Sequence, residues 1–297
     1  MPSWPTLLAR PQEWRRRRRR KQKKHRKLGH ADVVLISYSK SGRTWLLTML
    51  SRYFHLQYET PANQLVNGDN FKLHDSRIPS IFYTSGWEFG RRVKVEELLS
   101  AKKVIFLYRD PRDVIVSLFH HMRHRVPAME RIFLLQGNRM PEELTANIAL
   151  KPEWLPAVVR FMNDWLHRCQ KLPHVHSVSY ESLRASPEAS LRHILTFIGE
   201  SADASAISGA ASFGDFENMK ALERAGYFAS GRLGGGNEDP NSFKVRRGRI
   251  GGYVEHFGVD GAVALDAFVE SHLDPSFGYG RLQEPIRVLS DSLISPP

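Results

Sequence analysis

The segment that follows residues 33–37 carries residue types that bind anions. The sequence runs from VVLIS, whose first four residues are apolar, into YSKSGRTW, which combines Ser, Lys, Gly and Arg. Gly42 lets a ligand approach the backbone closely, and a helix that starts after it would direct its unpaired N–H groups and positive dipole end at the ligand. The segment therefore predicts a loop that binds phosphate or sulfate.

The same loop departs from the nucleoside-triphosphate pattern G-x-x-x-x-G-K-[ST]. Gly42 and Thr44 fit that pattern, but Ser37 replaces its first glycine and Arg43 replaces its lysine. A lysine occurs earlier in the loop, as Lys40. One hypothesis from these residues is a P-loop-type kinase of small molecules that depends on ATP and Mg²⁺.

Strands and helices alternate around this loop. The apolar pattern predicts strands at 33–37, 103–108 and 175–180, and a helix from Arg43 to Leu56. Asp110 and Pro111 predict the start of a second helix, in which Asp110 and Asp113 serve capping rather than catalysis. Ser186 and Gly199 bound a third helix. The sequence predicts an α/β fold with a central parallel sheet flanked by helices, and leaves 57–90 irregular.

Composition limits the class of protein. With 297 residues and 41% apolar content, the chain can build a sizeable core. It lacks an apolar run long enough to span a membrane and has no apolar core of a secretory signal near its start. Its only cysteine is Cys169, so it cannot form an internal disulfide, which fits a reducing compartment. We therefore expect a cytoplasmic protein. We divide it into a basic arm at 1–30, a domain at 31–275 and a tail at 276–297.

The arm holds most of the positive charge. The chain carries a net +12, and residues 1–30 contain twelve Lys and Arg against one acidic residue. Three interpretations stay open for residues 15–27: contact with an anionic membrane, contact with nucleic acid, or a solvated tail. A corresponding hypothesis is a degenerate domain tethered by this arm to membrane or nucleic acid.

Four segments, taken in order, resemble the sulfotransferases that use 3′-phosphoadenosine 5′-phosphosulfate. They are K-S-G-x-T-W in the loop, VIFLYRDPRDVIVSLFHH at 104–121, YESLRASPEASLRHILTFIG followed by FENM, and FKVRRGRIGGYVEHF at 243–257. The resemblance implies a three-layer fold of the P-loop-containing nucleoside-triphosphate-hydrolase type. It also implies transfer of a sulfuryl group, without a metal, to a hydroxyl or amine of a small-molecule, lipid or carbohydrate acceptor.

The resemblance also assigns roles to residues. Lys40 would stabilise the departing phosphate oxygen, and Ser41, Gly42, Arg43 and Thr44 would surround the 5′-phosphosulfate. The 3′-phosphate would be bound by Arg109, Ser117, Arg246, Arg247 and Gly248, and the adenine by Trp45, Tyr180 and Phe216. Arginine suits the binding of the 3′-phosphate because its planar fork of donors matches phosphate oxygens.

The irregular region at 57–90 contains the candidates for the general base that takes the proton of the acceptor. The stretch FKLHDS contains a K-x-H pair like the one that the family commonly places beside the sulfate, so His74 is the candidate base and Lys72 its assistant. Asp69, Asp75 and Glu88 lie in the same region and stay open as alternatives. The identity of the acceptor cannot be read from the chain, specific binding of nucleic acid is not expected, and a homodimer and a peripheral position at a membrane both stay open.

Overall fold

Four parallel strands form one sheet in the described part of the chain. The computed structural model describes residues 26–86, 94–128, 131, 135, 137–229, 233 and 248–280. The strands are β1 (Val33–Ser37), β2 (Ile81–Thr84), β3 (Lys103–Tyr108) and β4 (Val175–Ser179), in the spatial order β2-β1-β3-β4. Val33 is in register with both Ile81 and Lys103. All five residues of β1 are buried, as expected for a central parallel strand covered on both faces.

Helices follow the strands. They are α1 (Arg43–Tyr58), α2 (Val95–Leu99), α3 (Pro111–Arg125), α4 (Ala146–Ala149), α5 (Leu155–Cys169), α6 (Tyr180–Ala185), α7 (Pro187–Ile198), α8 (Ala204–Phe213), α9 (Phe216–Arg224) and α10 (Gly252–His272). The predicted starts at Arg43 and Pro111 are confirmed, and so is the end at Gly199, which adopts the left-handed conformation. The predicted α/β class with a parallel sheet flanked by helices is likewise confirmed.

The chain divides into two compact units, of which the first comprises 1–109 and 165–250. Its core joins one face of the sheet to four helices, α1, α6, α7 and α8. Leu35 of β1 and Ile105 of β3 belong to the same buried cluster as Leu46 of α1, Ile194 of α7 and Ile207 of α8. This packing fixes α1 immediately after β1, and so fixes the loop between them.

The second unit comprises 110–164 and 251–297. Within it, Asp110 caps α3 by accepting a hydrogen bond from the Arg112 amide, and Asp113 accepts bonds from the amides of Gly251 and Tyr253 at the start of α10. Arg112 is buried and pairs with Asp110 at 2.6 Å and with Asp266 at 2.5 Å. Burial opposes the charge on Arg112, but its hydrogen bond and charge interactions with these carboxylates raise its pKa. The predicted capping role of Asp110 is confirmed, and Asp113 caps the neighbouring helix instead.

The region 57–90 is more regular than the sequence predicts. It contains β2, a four-residue strand at the edge of the sheet.

Among the described residues no helix is long and apolar enough to cross a membrane. The buried Cys169 has a pKa raised to about 12 by burial, which makes its thiol inert at neutral pH.

Candidate functional site

The loop between β1 and α1 has the backbone of an anion-binding turn. The Ser41 amide donates to the Tyr38 carbonyl at 3.4 Å, and the residues on either side of Ser41 have positive φ angles, 73° at Lys40 and 94° at Gly42. Such alternation of left-handed and ordinary backbone directs successive N–H groups into a concavity that suits anions. Lys40 is a strained position, because a non-glycine residue there costs about 1 kcal/mol or more.

The start of α1 adds further donors. Gly42 is the N-cap, and the first bond within the helix runs from the Leu46 amide to the Gly42 carbonyl. In the described chain no side chain caps this helix start, and its first turn contains no acidic residue. The first amides of α1 and its positive dipole end therefore suit a negatively charged ligand.

Gly42 also makes room for an aromatic ring. A Cβ atom at Gly42 would lie 2.6 Å from Cδ2 of Tyr180, which is closer than real Cβ atoms come. Tyr180 follows β4 and is buried, and its ring lies 5.6 Å from that of Trp45 in an edge-to-face arrangement. Glycine is therefore required here both for its φ angle and for the approach of the Tyr180 ring.

Arg109 connects the loop to a distant segment. It directly follows β3, is 9% exposed, and places its guanidinium carbon 4.2 Å from the centre of the Tyr180 ring. Its Nη2 donates to the Arg249 carbonyl at 2.8 Å and its Nη1 to the Lys40 carbonyl at 3.5 Å. One buried cation thus touches three segments to which the family resemblance assigns contacts with the same nucleotide.

Gly248 and Phe216 complete this cluster. Gly248 has a positive φ angle, and a Cβ atom there would lie 2.9 Å from Cδ2 of Phe216. The Tyr180 hydroxyl donates to the Gly248 carbonyl at 3.4 Å. Gly42, Trp45, Arg109, Tyr180, Phe216 and Gly248, which come from separate stretches of the chain, are therefore linked by direct contacts; we call them the Tyr180 cluster.

Two residues of this neighbourhood escaped the sequence analysis. The guanidinium carbon of Arg184 lies 6.0 Å from the ring centres of both Trp45 and Phe216, at the limit of a cation–π contact. The Trp45 indole donates to the Gly214 carbonyl at 2.6 Å, which fixes the orientation of its ring. Arg184 follows Tyr180 by one helical turn, so the (i, i+4) spacing could have indicated it.

The remaining predicted ligands of the donor are placed as follows. Ser41 is buried, Thr44 is the second residue of α1, and the Arg43 guanidinium carbon lies 5.5 Å from the Tyr83 ring centre. Ser117 is a half-buried residue of α3 in the second unit. Arg246 and Arg247 lie outside the described residues.

The structure does not bring Lys72 and His74 to the loop. Lys72 forms an ion pair of 2.7 Å with Asp32, the residue before β1, whereas the loop follows the other end of this strand. Five residues of strand span about 16 Å. His74 is exposed in the turn next to Lys72, and its amide donates to the Phe71 carbonyl. This corrects the prediction that the K-x-H pair lies beside the sulfate.

The direction of β2 is the physical reason. β2 runs parallel to β1, so the residues before Ile81 lie at the amino ends of the strands and those after Thr84 lie at the carboxyl ends. Lys72, His74, Asp69 and Asp75 all precede β2. Of the four candidate bases only Glu88 follows it, and Glu88 lies outside the described residues.

Comparison with known proteins identifies the family of the chain. The chain matches the model of the sulfotransferase domain over residues 30–277. It is 26% identical to cytosolic sulfotransferase 13 of Arabidopsis thaliana, with 77% of this chain and 73% of that protein covered. It is 22% identical to the amine sulfotransferase of Oryctolagus cuniculus, with 82% and 80% covered.

Among solved structures, the mouse sulfotransferase SULT7A1 complexed with PAP has a similar fold. The TM-score is 0.52 at 20% sequence identity, and the match covers 84% of this chain and 86% of that one. The family model spans most of the chain and includes every predicted site residue from Lys40 to Gly248. The chain therefore belongs to the sulfotransferase domain family, and it is an enzyme that transfers a sulfuryl group from 3′-phosphoadenosine 5′-phosphosulfate to an acceptor.

Proposed function

We propose that the Tyr180 cluster and the loop at 38–44 together bind the donor of this sulfotransferase. The observation that carries the proposal is the position of Arg109, which reaches the loop, the Tyr180 ring and the segment at 248–250 at once. A donor with a phosphosulfate at one end and a 3′-phosphate at the other needs positive charge at two separate places. Lys40 with the start of α1 provides one, and Arg109 provides the other.

The adenine is assigned to the aromatic side of the cluster. Trp45, Tyr180 and Phe216 present ring surfaces, and Arg184 adds a cation within reach of two of them. Stacking on rings suits a flat, apolar base, and it gains about 1–3 kcal/mol per base in other nucleotide-binding sites. Arg246, Arg247, Gly248 and Ser117 are proposed to join Arg109 at the 3′-phosphate.

The chemistry requires alignment and charge stabilisation. The donor supplies a sulfuryl group whose bond to a phosphate oxygen breaks as the acceptor attacks. Lys40 is proposed to stabilise the negative charge that develops on that oxygen, together with the first amides of α1. Fixed donors of this kind act strongly because they need little reorganisation during the reaction. We assign no metal to this step.

For the general base we propose the segment that follows β2. This segment leaves the sheet at the carboxyl ends of the strands, where the loop after β1 also emerges. Glu88 is the first ionisable residue after β2. The expected effect of Glu88→Gln is a loss of turnover of about 10²-fold or more with little change in donor binding. His74→Ala is the matched control, and a large loss of turnover in His74→Ala alone would return the assignment to His74.

Calorimetry tests the donor assignment. Wild-type protein is titrated with adenosine 3′,5′-bisphosphate and, separately, with ATP and Mg²⁺. We expect tight binding of the bisphosphate without metal and its weakening in Arg247→Ala. Tight binding of ATP–Mg²⁺ with none of the bisphosphate would favour the kinase hypothesis, which rests on Gly42 and Thr44.

For the acceptor we propose a hydroxyl or amine of a small molecule, lipid or carbohydrate. The names of the relatives support a broad range of acceptor classes, because they include an amine sulfotransferase and a flavonol 3-sulfotransferase. We further propose a cytoplasmic location, as several relatives are named cytosolic, and a homodimer. Incubating the enzyme with metabolite extracts and a donor labelled in its sulfate would identify the acceptor, and transfer to none of the extracts would count against these classes.

A further inference from the structure

The amino ends of the strands carry an exposed leucine among basic residues. Leu73 is 80% exposed, the largest value of any large apolar side chain for which exposure is described. Lys72, His74 and Arg77 lie within the same turn. We define the amino-end surface as Lys27, Lys72, Leu73, His74, Arg77 and Lys102.

The turn itself explains why Leu73 points outward. The amides of Leu73 and Asp75 donate to the carbonyls of Asp69 and Phe71, and this compact turn buries Phe71 in the core at 1% exposure. Ile78 is buried as well. The apolar residues on both sides of Leu73 therefore anchor the turn and leave Leu73 at its outer side.

The basic arm joins the folded chain at this surface. Residues 26–29 form a helical turn, in which Leu28 is buried and Lys27 donates to the Asn67 carbonyl at 3.2 Å. Lys102 donates to the carbonyls of Gly29 and Ala31. The described chain therefore begins near Asn67, six residues before Leu73, and the sequence holds ten Lys and Arg residues before Arg26.

The folded surface contributes less positive charge than its composition suggests. Asp32 pairs with Lys72, and Asp75 pairs with Arg77 at 2.6 Å. Lys27 and Lys102 donate to backbone carbonyls, so these bonds leave their charges in place. Most of the electrostatic attraction must therefore come from the arm, and the folded surface adds the apolar contact.

We propose that the amino-end surface docks the enzyme on an anionic lipid bilayer. Leu73 inserts at the boundary between headgroups and acyl chains, and the arm binds the lipid phosphates. One such signal alone binds only weakly, and two together give stable attachment to a bilayer. Trp4 and Trp14, which both precede the basic run that starts at Arg15, suit the same interface. Nucleic acid would use the basic residues but gains nothing from an exposed Leu73.

This docking surface is separate from donor chemistry. The loop at 38–44 follows the carboxyl end of β1, about 16 Å from Asp32 at the amino end. A bilayer at the amino-end surface therefore leaves the donor loop facing away from it. Binding to the bilayer and binding of the nucleotide can be measured independently, and failure of one does not imply failure of the other.

The test is co-sedimentation of the full chain with phosphatidylcholine vesicles, with and without phosphatidylserine. We expect binding only to vesicles with phosphatidylserine. Leu73→Ser should weaken the partition about tenfold, and replacing Arg15 to Arg20 with Gln should weaken it at least a hundredfold. Val259→Ser is the matched control, because Val259 is 74% exposed in the second unit and the substitution leaves the charge unchanged.

Each result decides the proposal. Unchanged affinity for adenosine 3′,5′-bisphosphate in all three variants would show that they fold. Equal partition of Leu73→Ser and Val259→Ser would overturn the role of Leu73. Tight binding of a ribonucleotide polymer in place of vesicles, or vesicle binding that ignores phosphatidylserine, would overturn the choice of an anionic bilayer.

Discussion

In the first unit, the carboxyl ends of the parallel strands, here called the carboxyl-end edge, and their amino ends, here called the amino-end edge, carry similar residues in different settings. The carboxyl-end edge has Lys40, Gly42 and an arginine over a tyrosine ring, Arg109 on Tyr180 at 4.2 Å. The amino-end edge has Lys72, Gly68 and Arg77, whose guanidinium carbon lies 4.9 Å from the Tyr58 ring centre. Composition alone does not distinguish the two edges.

Burial and ion pairing distinguish them. Arg109 is 9% exposed and donates to backbone carbonyls, whereas the Arg77 side chain is 71% exposed and pairs with Asp75. That arginine lowers the pKa of Asp75 to about 2. Lys72 is similarly held by Asp32. A cation in a dry site interacts more strongly with an anion than one paired in water, so of these two sets of residues we expect the one at the carboxyl-end edge to bind the donor.

The largest expected difference concerns the two lysines. Lys40→Met should lower kcat by about 10²–10³-fold, because it removes a fixed positive charge from the developing oxyanion. Lys72→Met should leave kcat within about twofold, since its charge is paired with Asp32 at the far edge. Steady-state rates with a model acceptor measure both. A large loss of kcat in Lys72→Met would reinstate the K-x-H pair as catalytic.

The direction of the strands explains which parts of the site could be predicted. The strand at 33–37, its loop and the helix from Arg43 are contiguous in the chain, so periodicity and turn chemistry identify them together. Arg109 directly follows β3, so its position at the same edge follows from the parallel sheet. These are local inferences that tertiary packing leaves unchanged.

The K-x-H pair could not be located in the same way. Its position depends on β2, a strand of only four residues at the sheet edge, whose register is set by β1 rather than by its own pattern. If β2 is not recognised, the sequence does not show whether the residues of 57–90 lie at the amino or the carboxyl ends of the strands, and Lys72 can be assigned to either. The contact of Asp113 with the start of α10 was missed for a related reason, because it joins residues far apart in the chain.

The two arginines provide the next comparison. Arg109→Ala should weaken binding of adenosine 3′,5′-bisphosphate about a hundredfold, because charge-assisted bonds to a phosphate in a buried site are lost. Arg77→Ala should leave this affinity unchanged. Calorimetry should also show that Arg109→Ala no longer prefers the bisphosphate to adenosine 5′-monophosphate. If that preference survives, the 3′-phosphate is bound elsewhere.

The two glycines separate backbone strain from ligand contact. Gly42→Ala places a methyl group 2.6 Å from the Tyr180 ring at a φ of 94°, and should lower nucleotide affinity about tenfold and stability by about 1–2 kcal/mol. Gly68→Ala is strained as well, with a φ of 70° and Cδ of Lys27 at 3.2 Å, but should cost stability alone. Thermal unfolding and calorimetry on both variants distinguish the two effects. Equal nucleotide affinities would contradict a donor site at Gly42.

The smallest expected effect concerns Asp32 at the amino-end edge. Burial would raise the pKa of this carboxyl, but hydrogen bonds from Lys72 and from the Ser80 amide, with the charges of Lys72 and Lys102, outweigh burial and lower it. A carboxyl with a lowered pKa stabilises the fold above its unfolded value of 3.8, and this stabilisation is lost as the pH falls through the folded value.

Asp32→Asn should therefore cost at most about 1 kcal/mol at pH 7, because the ion pair is partly exposed to solvent. The cost should shrink as the pH falls from 3.8 through the lower pKa of the folded state, below which the wild-type carboxyl is neutral as well. Urea unfolding of both proteins at neutral and acid pH measures this difference, while kcat with a model acceptor should stay unchanged. A drop in kcat would mean that the amino-end edge takes part in the reaction, and the contrast between the two edges would then fail.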